Sequence, residues 1–249
     1  MSGRHVGEGG EVIAVIPIRG LAGGKTRLAG AVSDEVRRTL TRHMLDRVLA
    51  AALAVPEIDR VVVISPDPAT LARVAGVGPR MVSLRQDPAN PGHNPALDQA
   101  RRWAVGRGAA AMLVLSGDLP FLAEADVRAI AAGDTPVTLG TDHHGTGTNA
   151  LRLDLADQRA ARFPFRFGPG SRLAHETAAA GLGLAVTTVT IPGIAFDVDT
   201  VDDWRHFLAG GDDSAAEGPP VGDSAAGDLI VAVAEPALAS GADDRWGRT

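Results

Sequence analysis

The chain of 249 residues contains no cysteine, and Lys25 is the single lysine among its 24 basic residues. Without cysteine the protein has no disulfide framework and no thiolate metal site. Uninterrupted apolar runs, such as 61–64 and 109–115, are far shorter than the roughly 20 residues that a membrane helix needs. The first ten residues are polar and rich in glycine, without the apolar core of a secretion signal. We therefore expect a cytoplasmic protein that does not contact a membrane.

The chain also lacks an excess of positive charge, because its formal net charge is −6 at pH 7. It has no basic footprint for nucleic acid, and we expect no nucleic-acid partner. An anionic substrate would have to be bound by a local group of cations, since the overall field does not attract it. The hydrophobic content of 45% is ordinary for a globular protein. The length is sufficient for one α/β domain, or two small ones, with a sizeable core.

Short apolar runs alternate with helical patterns in the first half of the chain. Residues 12–18 are almost all apolar, which is typical of a strand buried on both faces. Ser33 predicts the start of a helix that ends near Pro56, because apolar residues recur every four positions from Val36 to Val48. Further strands are predicted at 60–65, 81–84 and 110–115, and further helices at 67–75, 96–107 and 123–132. This alternation predicts βαβ units and a parallel sheet.

The pattern changes after Thr135. Runs at 136–141 and 148–153 flank a polar turn and predict a β-hairpin, which we interpret as an insertion that serves as an interface or a lid. A loop at 163–170, rich in proline and glycine, leads to a helix that Ser171 caps. A strand at 185–191 and a helix at 201–208 follow. We expect a flexible segment at 1–11, one domain at 12–209, and a mostly disordered tail at 210–249 with one strand candidate at 229–233.

Lys25 lies in a glycine-containing loop between the first strand and the first helix. Such a loop suits phosphate, because backbone N–H groups approach closely at glycine and the next helix directs its N-terminus inward. Arg27 adds a second cation. A Walker A motif at Gly24-Lys25-Thr26 would need glycine at position 19, which is arginine, and Gly20 is one residue out of place. The other alternative is a solvated turn, which the scarcity of lysine elsewhere disfavours.

Two segments carry aspartates that are candidate ligands for Mg²⁺. Asp118 follows a buried strand, and ligands of open α/β sheets bind beyond the carboxyl ends of the strands. Asp197 and Asp199 are two residues apart in an extended segment. In phosphate chemistry Mg²⁺ is held by one or two carboxylates with substrate oxygens and water, which fits Asp118 with one of this pair. Asp118 could instead cap a turn, and for Asp199 the sequence favours the N-cap of the helix at 201–208 over ligation.

Six short motifs occur together between residues 12 and 208. They are Pro17-Ile18 with Leu21-Ala22-Gly23-Gly24-Lys25-Thr26-Arg27-Leu28, Gly92-His93-Asn94-Pro95-Ala96-Leu97, Gly117-Asp118-Leu119-Pro120, Gly147-Thr148-Asn149-Ala150-Leu151, Phe167-Gly168-Pro169-Gly170-Ser171 with His175, and Phe196-Asp197-Val198-Asp199-Thr200. In this combination the chain resembles the phosphoenolpyruvate / 2-phospho-L-lactate guanylyltransferases of coenzyme F-420 biosynthesis. Asp-Leu-Pro alone is shared by many nucleotidyltransferases, whereas Lys-Thr-Arg-Leu with Gly-Thr-Asn-Ala-Leu is more specific.

The resemblance implies an α/β fold of the Rossmann-like nucleotidyltransferase type (GT-A-like), a three-layer sandwich whose mostly parallel sheet carries a β-hairpin insertion. It implies an enzyme that joins GTP to a phosphorylated three-carbon acid with Mg²⁺, releases pyrophosphate and supplies a downstream transferase. The expected catalytic residues are Lys25, Arg27 and Asp118, and the expected metal ligands are Asp118, Asp197 and Asp199. The expected nucleotide contacts are Ile18, Lys25, Gln86, Gly92 and Asn94, and the expected contacts to the acid are Thr148, Gly168 and Ser171. His93 and His175 are interpreted only as polar groups in or near loops.

The chemistry of such a reaction agrees with what the sequence lacks. The attacking phosphate oxygen is already ionised at pH 7, so no general base or Ser-His-Asp arrangement is needed. The arginine-rich composition is typical of a bacterial protein and favours phosphoenolpyruvate over 2-phospholactate, although a pocket separates such close analogues by only about 1–3 kcal/mol.

Two other functions remain as alternatives. A molybdopterin or sugar-phosphate nucleotidyltransferase would have more residues between the first glycines of its loop and the lysine. A nucleotide-binding regulator without catalysis would not need the three aspartates.

Overall fold

Strands and helices alternate along the residues that the computed structural model describes, 10–21 and 24–209. The strands are β1 (Val12–Pro17), β2 (Arg60–Ser65), β3 (Met81–Arg85), β4 (Ala111–Leu115), β5 (Val137–Thr141), β6 (Thr148–Asp154) and β7 (Val186–Val189). The helices are α1 (Asp34–Ala54), α2 (Pro68–Val74), α3 (His93–Gly106), α4 (Glu124–Ala131), α5 (Ser171–Gly181), α6 (Pro192–Ala195) and α7 (Val201–Leu208). Most of these bounds lie within one or two residues of those predicted from the sequence.

The strands form one sheet in the order β3-β2-β1-β4-β6-β5-β7. β1 pairs in parallel with β2 and β4, β2 with β3, and β5 with β7. Only β6 runs against its neighbours, because it pairs antiparallel with both β4 and β5. The prediction of a mostly parallel α/β sheet is therefore confirmed.

The predicted hairpin forms, since β5 and β6 pair antiparallel, but it lies inside the sheet. All five residues of β5 are buried, and β6 is bonded along β4 from Ala111 to Leu115. The interpretation of this hairpin as a lid is wrong, because Leu139 and Leu151 contribute to the same core as the parallel strands. The pairing of two strands in a hairpin is encoded locally, whereas the strand that the hairpin joins depends on contacts distant in sequence.

Helices cover both faces of the sheet and make a three-layer sandwich. Alternate residues of β1 point to opposite faces, as the pleat requires. Ile13 and Val15 pack into a core that includes residues of α3 and α5, whereas Ala14 and Ile16 pack against α1 and α4. Because helices cover both faces of the sheet, residues on both sides of β1 are apolar, and its sequence is a continuous apolar run. The three-layer architecture predicted from the sequence is confirmed.

Helix α1 begins where the sequence predicts, and it anchors the loop that carries Lys25. The Ser33 hydroxyl accepts a hydrogen bond from the Val36 N–H at 3.3 Å and caps the helix. Leu40, Met44 and Val48 are fully buried, which confirms the predicted apolar stripe. The helix ends at Ala54, two residues before Pro56.

Two helices near the site begin differently from the predictions. Helix α3 starts at His93 and not at residue 96, because Gly92 takes the N-cap position with φ of 116° and Pro95 is tolerated in the first turn. Ser171 is the first residue of α5 and not its cap, since Gly170 with φ of 66° precedes it.

Asp199 does not cap α7, so that interpretation is wrong. Thr200 is the N-cap, and its hydroxyl accepts from the Asp203 N–H at 3.2 Å. The Asp203 carboxylate accepts in return from the N–H groups of Thr200 at 2.7 Å and Asp199 at 3.0 Å. This capping box satisfies the start of the helix without the Asp199 side chain, which leaves that carboxylate available for other contacts.

Some predictions fall on residues that the structure does not describe. They are positions 1–9 of the flexible segment expected at 1–11, the tail expected at 210–249 and the strand candidate at 229–233. In the described part of the chain, every helix is too short or too polar to traverse a lipid bilayer.

The capping box generates a test of local stability. Thr200→Ala removes the cap and should lower the free energy of unfolding by about 1 kcal/mol. Thr177→Ala is the matched control, because the Thr177 hydroxyl bonds only the Leu173 carbonyl within α5. Urea unfolding of both variants measures the difference. Equal stabilities for the two variants would contradict the assigned cap.

Candidate active site

The predicted site residues meet at one edge of the sheet. β1 and β4 run in parallel, so the loops that follow them leave from the same edge. β6 runs the opposite way, which brings its first residues, Thr148 and Asn149, to that edge as well. The Ser116 N–H, just after β4, donates to the Asn149 carbonyl at 2.9 Å and fixes the two segments together. This is the edge at which open α/β sheets bind ligands.

Three carboxylates gather around the ammonium of Lys25. Asp118, Asp197 and Asp199 each offer an oxygen, and these oxygens lie within 4.8 Å of one another. Lys25 Nζ lies 2.6 Å from Asp118 Oδ2 and 3.0 Å from Asp199 Oδ1. Arg27 Nη1 reaches Asp199 Oδ2 at 3.3 Å from a largely exposed position. The loop after β1 is thus tied to two segments that lie far away in the sequence.

The backbone at Lys25 is unusual and directs its side chain inward. Among the residues that the structure describes, Lys25 is the only non-glycine with a positive φ, at 57° with ψ of 44°. A left-handed conformation costs a residue with a side chain on the order of 1 kcal/mol, and such strain persists where surrounding contacts enforce it. Only 7% of the Lys25 side chain is exposed. The two ion pairs are the contacts that hold it in this conformation.

Burial and neighbouring charges shift the pKa values of Lys25 and Asp197. Burial disfavours the Lys25 ammonium, but the charges of Asp118 and Asp199 outweigh it and raise the pKa of Lys25 above its ordinary value. Burial, followed by repulsion from Asp118 and Asp199, raises the pKa of Asp197 to about 6, although the Asn149 amide and Lys25 act in the opposite direction. The Asn149 Nδ2 donates to Asp197 Oδ1 at 3.1 Å.

The donor set fits a divalent cation with a preference for oxygen. Three carboxylates face two cationic side chains, so one negative charge is left over at the cluster. Carboxylate oxygens are the ligands that Mg²⁺ takes in phosphate-handling sites, usually together with substrate oxygens. Asp118, Asp197 and Asp199 therefore form a candidate metal centre.

Two adjoining cavities open beside this cluster. The first, of about 410 Å³, is lined by Ile18, Gln86, Gly92 and neighbouring residues. The second, of about 320 Å³, includes Lys25, Arg27, Asp118 and Asp199 in its wall. The cavities share four residues, namely Pro17, Ile18, Arg19 and His93. Both volumes lie in the range typical of small-molecule sites.

His93 stands at the wall between the two cavities. Its Nε2 is buried and has no hydrogen-bond partner among the residues described by the structure. Burial lowers the pKa of His93, and the nearby Arg19 acts in the same direction whereas Asp118 opposes both. A buried polar atom without a partner in a cavity wall is the kind of group that a ligand satisfies.

Most of the residues predicted to contact a nucleotide line at least one of the two cavities, but one of these residues does not. Ile18, Gln86 and Gly92 line the first cavity. The Gln86 amide donates to the carbonyls of Asn90 at 2.9 Å and Gly92 at 2.7 Å, which holds the loop before α3. Asn94 is not part of either lining.

Asn94 instead bonds to the backbone of Phe167. Its Oδ1 accepts from the Phe167 N–H at 2.9 Å, and its Nδ2 donates to the Phe167 carbonyl at 3.0 Å. Asn94 therefore holds the loop at 163–170 against α3, a contact that the sequence did not predict.

The residues predicted to contact the acid lie next to the cavities but outside their linings. Thr148 is buried at the start of β6, and its Oγ1 lies 3.1 Å from His175 Nδ1. Gly168 has φ of 140° and open space where a Cβ would lie, while Ser171 begins α5. This group adjoins the cavities through Phe167, whose ring centroid lies 5.1 Å from that of His93.

The sequence analysis missed two residues that the structure brings to the site. Arg19 lines both cavities and forms no ion pair within the described residues. Its signal was a second cation directly after β1, which had served only to reject a Walker A motif. His175 is fully buried and bonds to Thr148, although the sequence indicated only a polar group near a loop. The sequence feature that could have indicated this is the spacing of four residues from Ser171, which places both residues on the same face of α5.

Solved structures with a similar fold agree with a nucleotidyltransferase architecture. A protein described as a nucleotide-diphospho-sugar transferase, from Desulfovibrio desulfuricans, superposes with a TM-score of 0.70 at 16% identity, over 93% of this chain and 98% of that one. CMP:2-keto-3-deoxy-manno-octonic acid synthetase, solved with CTP, gives a TM-score of 0.51 at 17% identity, over 80% of this chain and 98% of the other. At these identities the likeness concerns the fold alone.

Sequence relatives are more informative about the family. A phosphoenolpyruvate guanylyltransferase from Rubrobacter xylanophilus is 43% identical over 206 residues, which is 80% of this chain and 95% of the relative. One from Sphaerobacter thermophilus is 36% identical over 200 residues, 80% of this chain and 92% of the relative. A family model described as "Guanylyl transferase CofC like" matches residues 12–218. With this site and these relatives, the chain belongs to the CofC-like guanylyl transferase family.

Proposed function

We propose that this protein joins GTP to phosphoenolpyruvate and releases pyrophosphate, with Mg²⁺ held by its aspartate cluster, in the biosynthesis of coenzyme F-420. The main support is the buried ammonium of Lys25, which lies between Asp118 and Asp199 in the wall of a cavity. The relatives named as phosphoenolpyruvate guanylyltransferases support the choice of the acid. Its cytoplasmic location and the passage of the product to a downstream transferase belong to the same proposal.

The two cavities suit the two ends of a nucleoside triphosphate. The first has apolar walls formed by residues such as Ile18, Ile64 and Pro88, against which a purine would pack. The second carries the cations Lys25 and Arg27, and Arg19 lines both. A nucleotide that spans them would place its phosphates beside the cations and would meet the unpartnered His93 Nε2 at the shared wall.

The acid would bind at the start of α5. The dipole of a helix favours anions near its N-terminus. The first two N–H groups of α5, those of Ser171 and Arg172, already donate to the carbonyls of Gly168 and Thr146 at 3.1 Å each, so the dipole and the side chains would have to hold the acid. Gly168 leaves open space in front of the backbone, and Ser171 is the first residue of the helix. Thr148 contributes a hydroxyl next to this point. Arg172 in the first turn of α5 and Arg166 in the preceding loop add positive charge near these groups, separately from Lys25 and Arg27.

The chemistry asks the protein for charge neutralisation and alignment. The attacking phosphate oxygen of the acid is ionised at pH 7, so the side chains need not remove a proton. Lys25 and Arg27 would neutralise the phosphates of GTP, including the pyrophosphate that leaves, and positioning of this kind supplies most of the catalysis in phosphoryl transfer. Mg²⁺ bound to Asp118, Asp197 and Asp199 supplies further neutralisation of phosphate oxygens.

The identity of the acid is tested by the product. Incubation with GTP and Mg²⁺ should release pyrophosphate with phosphoenolpyruvate and give an adduct with the mass of GMP joined to that acid. Mass spectrometry of parallel reactions with 2-phospholactate and 3-phosphoglycerate ranks the three acids by the product formed. Product from 2-phospholactate alone would replace phosphoenolpyruvate in the proposal, and no product from any of the acids would refute it.

The role of Lys25 is tested by Lys25→Ala. We expect kcat/KM to fall by a factor of roughly 30 to 1,000, because a charge-assisted contact to a reacting phosphate is worth about 2–4 kcal/mol. Arg38→Ala is the control, since Arg38 is exposed on α1 and forms no ion pair in the described part of the chain. Steady-state pyrophosphate release measures both variants. Near-normal activity of Lys25→Ala would exclude the phosphate role.

The metal centre is tested by direct binding. Isothermal titration calorimetry with Mn²⁺, used as a stand-in for Mg²⁺, should show one site in the wild type. Asp197→Asn should weaken binding by at least roughly ten-fold, the loss that even an outer partner of a metal site causes. Asp134→Asn, at an exposed position shortly after the end of α4, is the control. Unchanged Mn²⁺ affinity in Asp197→Asn would show that the aspartate cluster does not hold the metal.

A further inference from the structure

His175 makes two hydrogen bonds from a completely buried ring. Its Nε2 lies 2.9 Å from the backbone nitrogen of Arg166, and its Nδ1 lies 3.1 Å from Thr148 Oγ1. The ring also packs against Phe163 and Phe167, with centroids 5.8 Å and 4.8 Å away. These contacts leave the ring no room to turn, so each nitrogen keeps its partner.

The partners decide where the proton of the ring lies. The backbone nitrogen of Arg166 can only donate, so His175 Nε2 must present a lone pair. Burial lowers the pKa of His175 to about 4, with contributions from Arg166 and His93, and the ring is therefore neutral near pH 7. A neutral ring with a lone pair on Nε2 carries its proton on Nδ1. That proton points at the oxygen of Thr148.

The hydroxyl of Thr148 is then left with a fixed role. Its Oγ1 accepts the hydrogen bond from His175, so its own proton must be directed elsewhere. Among the described residues, no acceptor bonds to this hydroxyl proton. Thr148 is buried, and a buried hydroxyl without an acceptor is costly unless a ligand provides one. The ligand group that fits is an anionic oxygen, which accepts and does not donate.

The ring of His175 is itself held in place from a second helix. Asn94, on α3, bonds both backbone groups of Phe167, and the Phe167 ring meets His175 edge to face. The backbone of Arg166, which immediately precedes Phe167, provides the donor to Nε2. The two helices thereby fix the orientation of one hydroxyl at the start of β6.

We propose that His175 is a positioning residue that keeps the Thr148 hydroxyl as a donor toward a carboxylate or phosphate oxygen of the three-carbon acid. This inference rests on the proposed function, because that function brings the acid to Thr148. His175 does not contact the acid itself. Its effect should therefore appear in the binding of the acid, not in the binding of GTP, and only while the Thr148 hydroxyl is present.

A matched pair of substitutions separates the two hydrogen bonds of the ring. His175→Asn keeps an amide nitrogen near the position of Nδ1 and so retains the donor to Thr148. His175→Gln places its longer amide near Arg166, and this variant loses the donor to Thr148. We expect the KM for phosphoenolpyruvate to rise about ten-fold in His175→Gln, as for the loss of one hydrogen bond near a charged group, and to change much less in His175→Asn. The KM for GTP should stay near the wild-type value in both.

The double variant shows whether His175 acts through Thr148. Thr148→Val removes the hydroxyl at nearly constant volume and should raise the KM for the acid by roughly ten- to hundred-fold. When Thr148 is already valine, His175→Gln should raise the KM for the acid little further, because the hydroxyl that His175 orients is gone. Additive effects, or equal effects of His175→Gln on both substrates, would overturn the inference. His43→Gln, at a half-buried histidine that contacts Phe207, is the control for replacing a histidine ring outside the site.

A measurement that needs no activity keeps the inference separate from the proposed function. In protein labelled with ¹⁵N-histidine, the ring signal that disappears in His175→Gln should show a protonated Nδ1 and an unprotonated Nε2. The opposite tautomer would overturn the inference whatever the enzyme does. If the wild type releases pyrophosphate with none of the three acids, the proposed function fails, and the tautomer still decides whether Thr148 is a fixed donor.

Discussion

The contact of Lys25 with Asp118 and Asp199 is the interaction on which the rest of the site depends. Its partners are 93 and 174 residues away in the chain, so it closes the loop after β1 onto the ends of two other segments. A buried ammonium is stable only when it is paired, and closely spaced carboxylates need a neighbouring cation. Each side of the contact therefore requires the other. The left-handed backbone at Lys25 is tolerated because this pairing holds it.

The site divides into a half that contains the ion-pair cluster and a half built on hydrogen bonds. The first half combines Lys25 and Arg27 with three carboxylates and suits a triphosphate with a divalent ion. The second half combines the start of α5 with Thr148 and the neutral His175 ring, and Arg166 and Arg172 lie beside it. The division has a physical use. Two anions must meet in the reaction, and binding the second anion at separate groups leaves Lys25 and Arg27 for the phosphates of the first.

Much of the fold could be predicted because it is encoded locally. Apolar runs gave the parallel strands, and the Ser33 cap with its apolar stripe gave α1. The position of β6 between β4 and β5 could not be predicted in this way, since strand order depends on contacts distant in sequence. The same limit applies to single residues. Asp199 and Asp203 both stand near the start of α7, and only their geometry shows that Asp203 completes the cap while Asp199 faces Lys25. The burial of His175 likewise follows from packing against phenylalanines of a separate loop.

The central claim, that the Lys25 ammonium is buried between carboxylates where a triphosphate binds, has a direct spectroscopic test. Lys25 is the only lysine in 249 residues, so protein labelled with ¹⁵N at lysine Nζ gives a single side-chain signal. The account predicts an ammonium signal protected from solvent exchange in the free protein, which shifts when GTP and Mg²⁺ are added but not when guanosine and Mg²⁺ are added. An ammonium in rapid exchange with solvent, or a signal that does not shift when GTP and Mg²⁺ are added, would contradict this account.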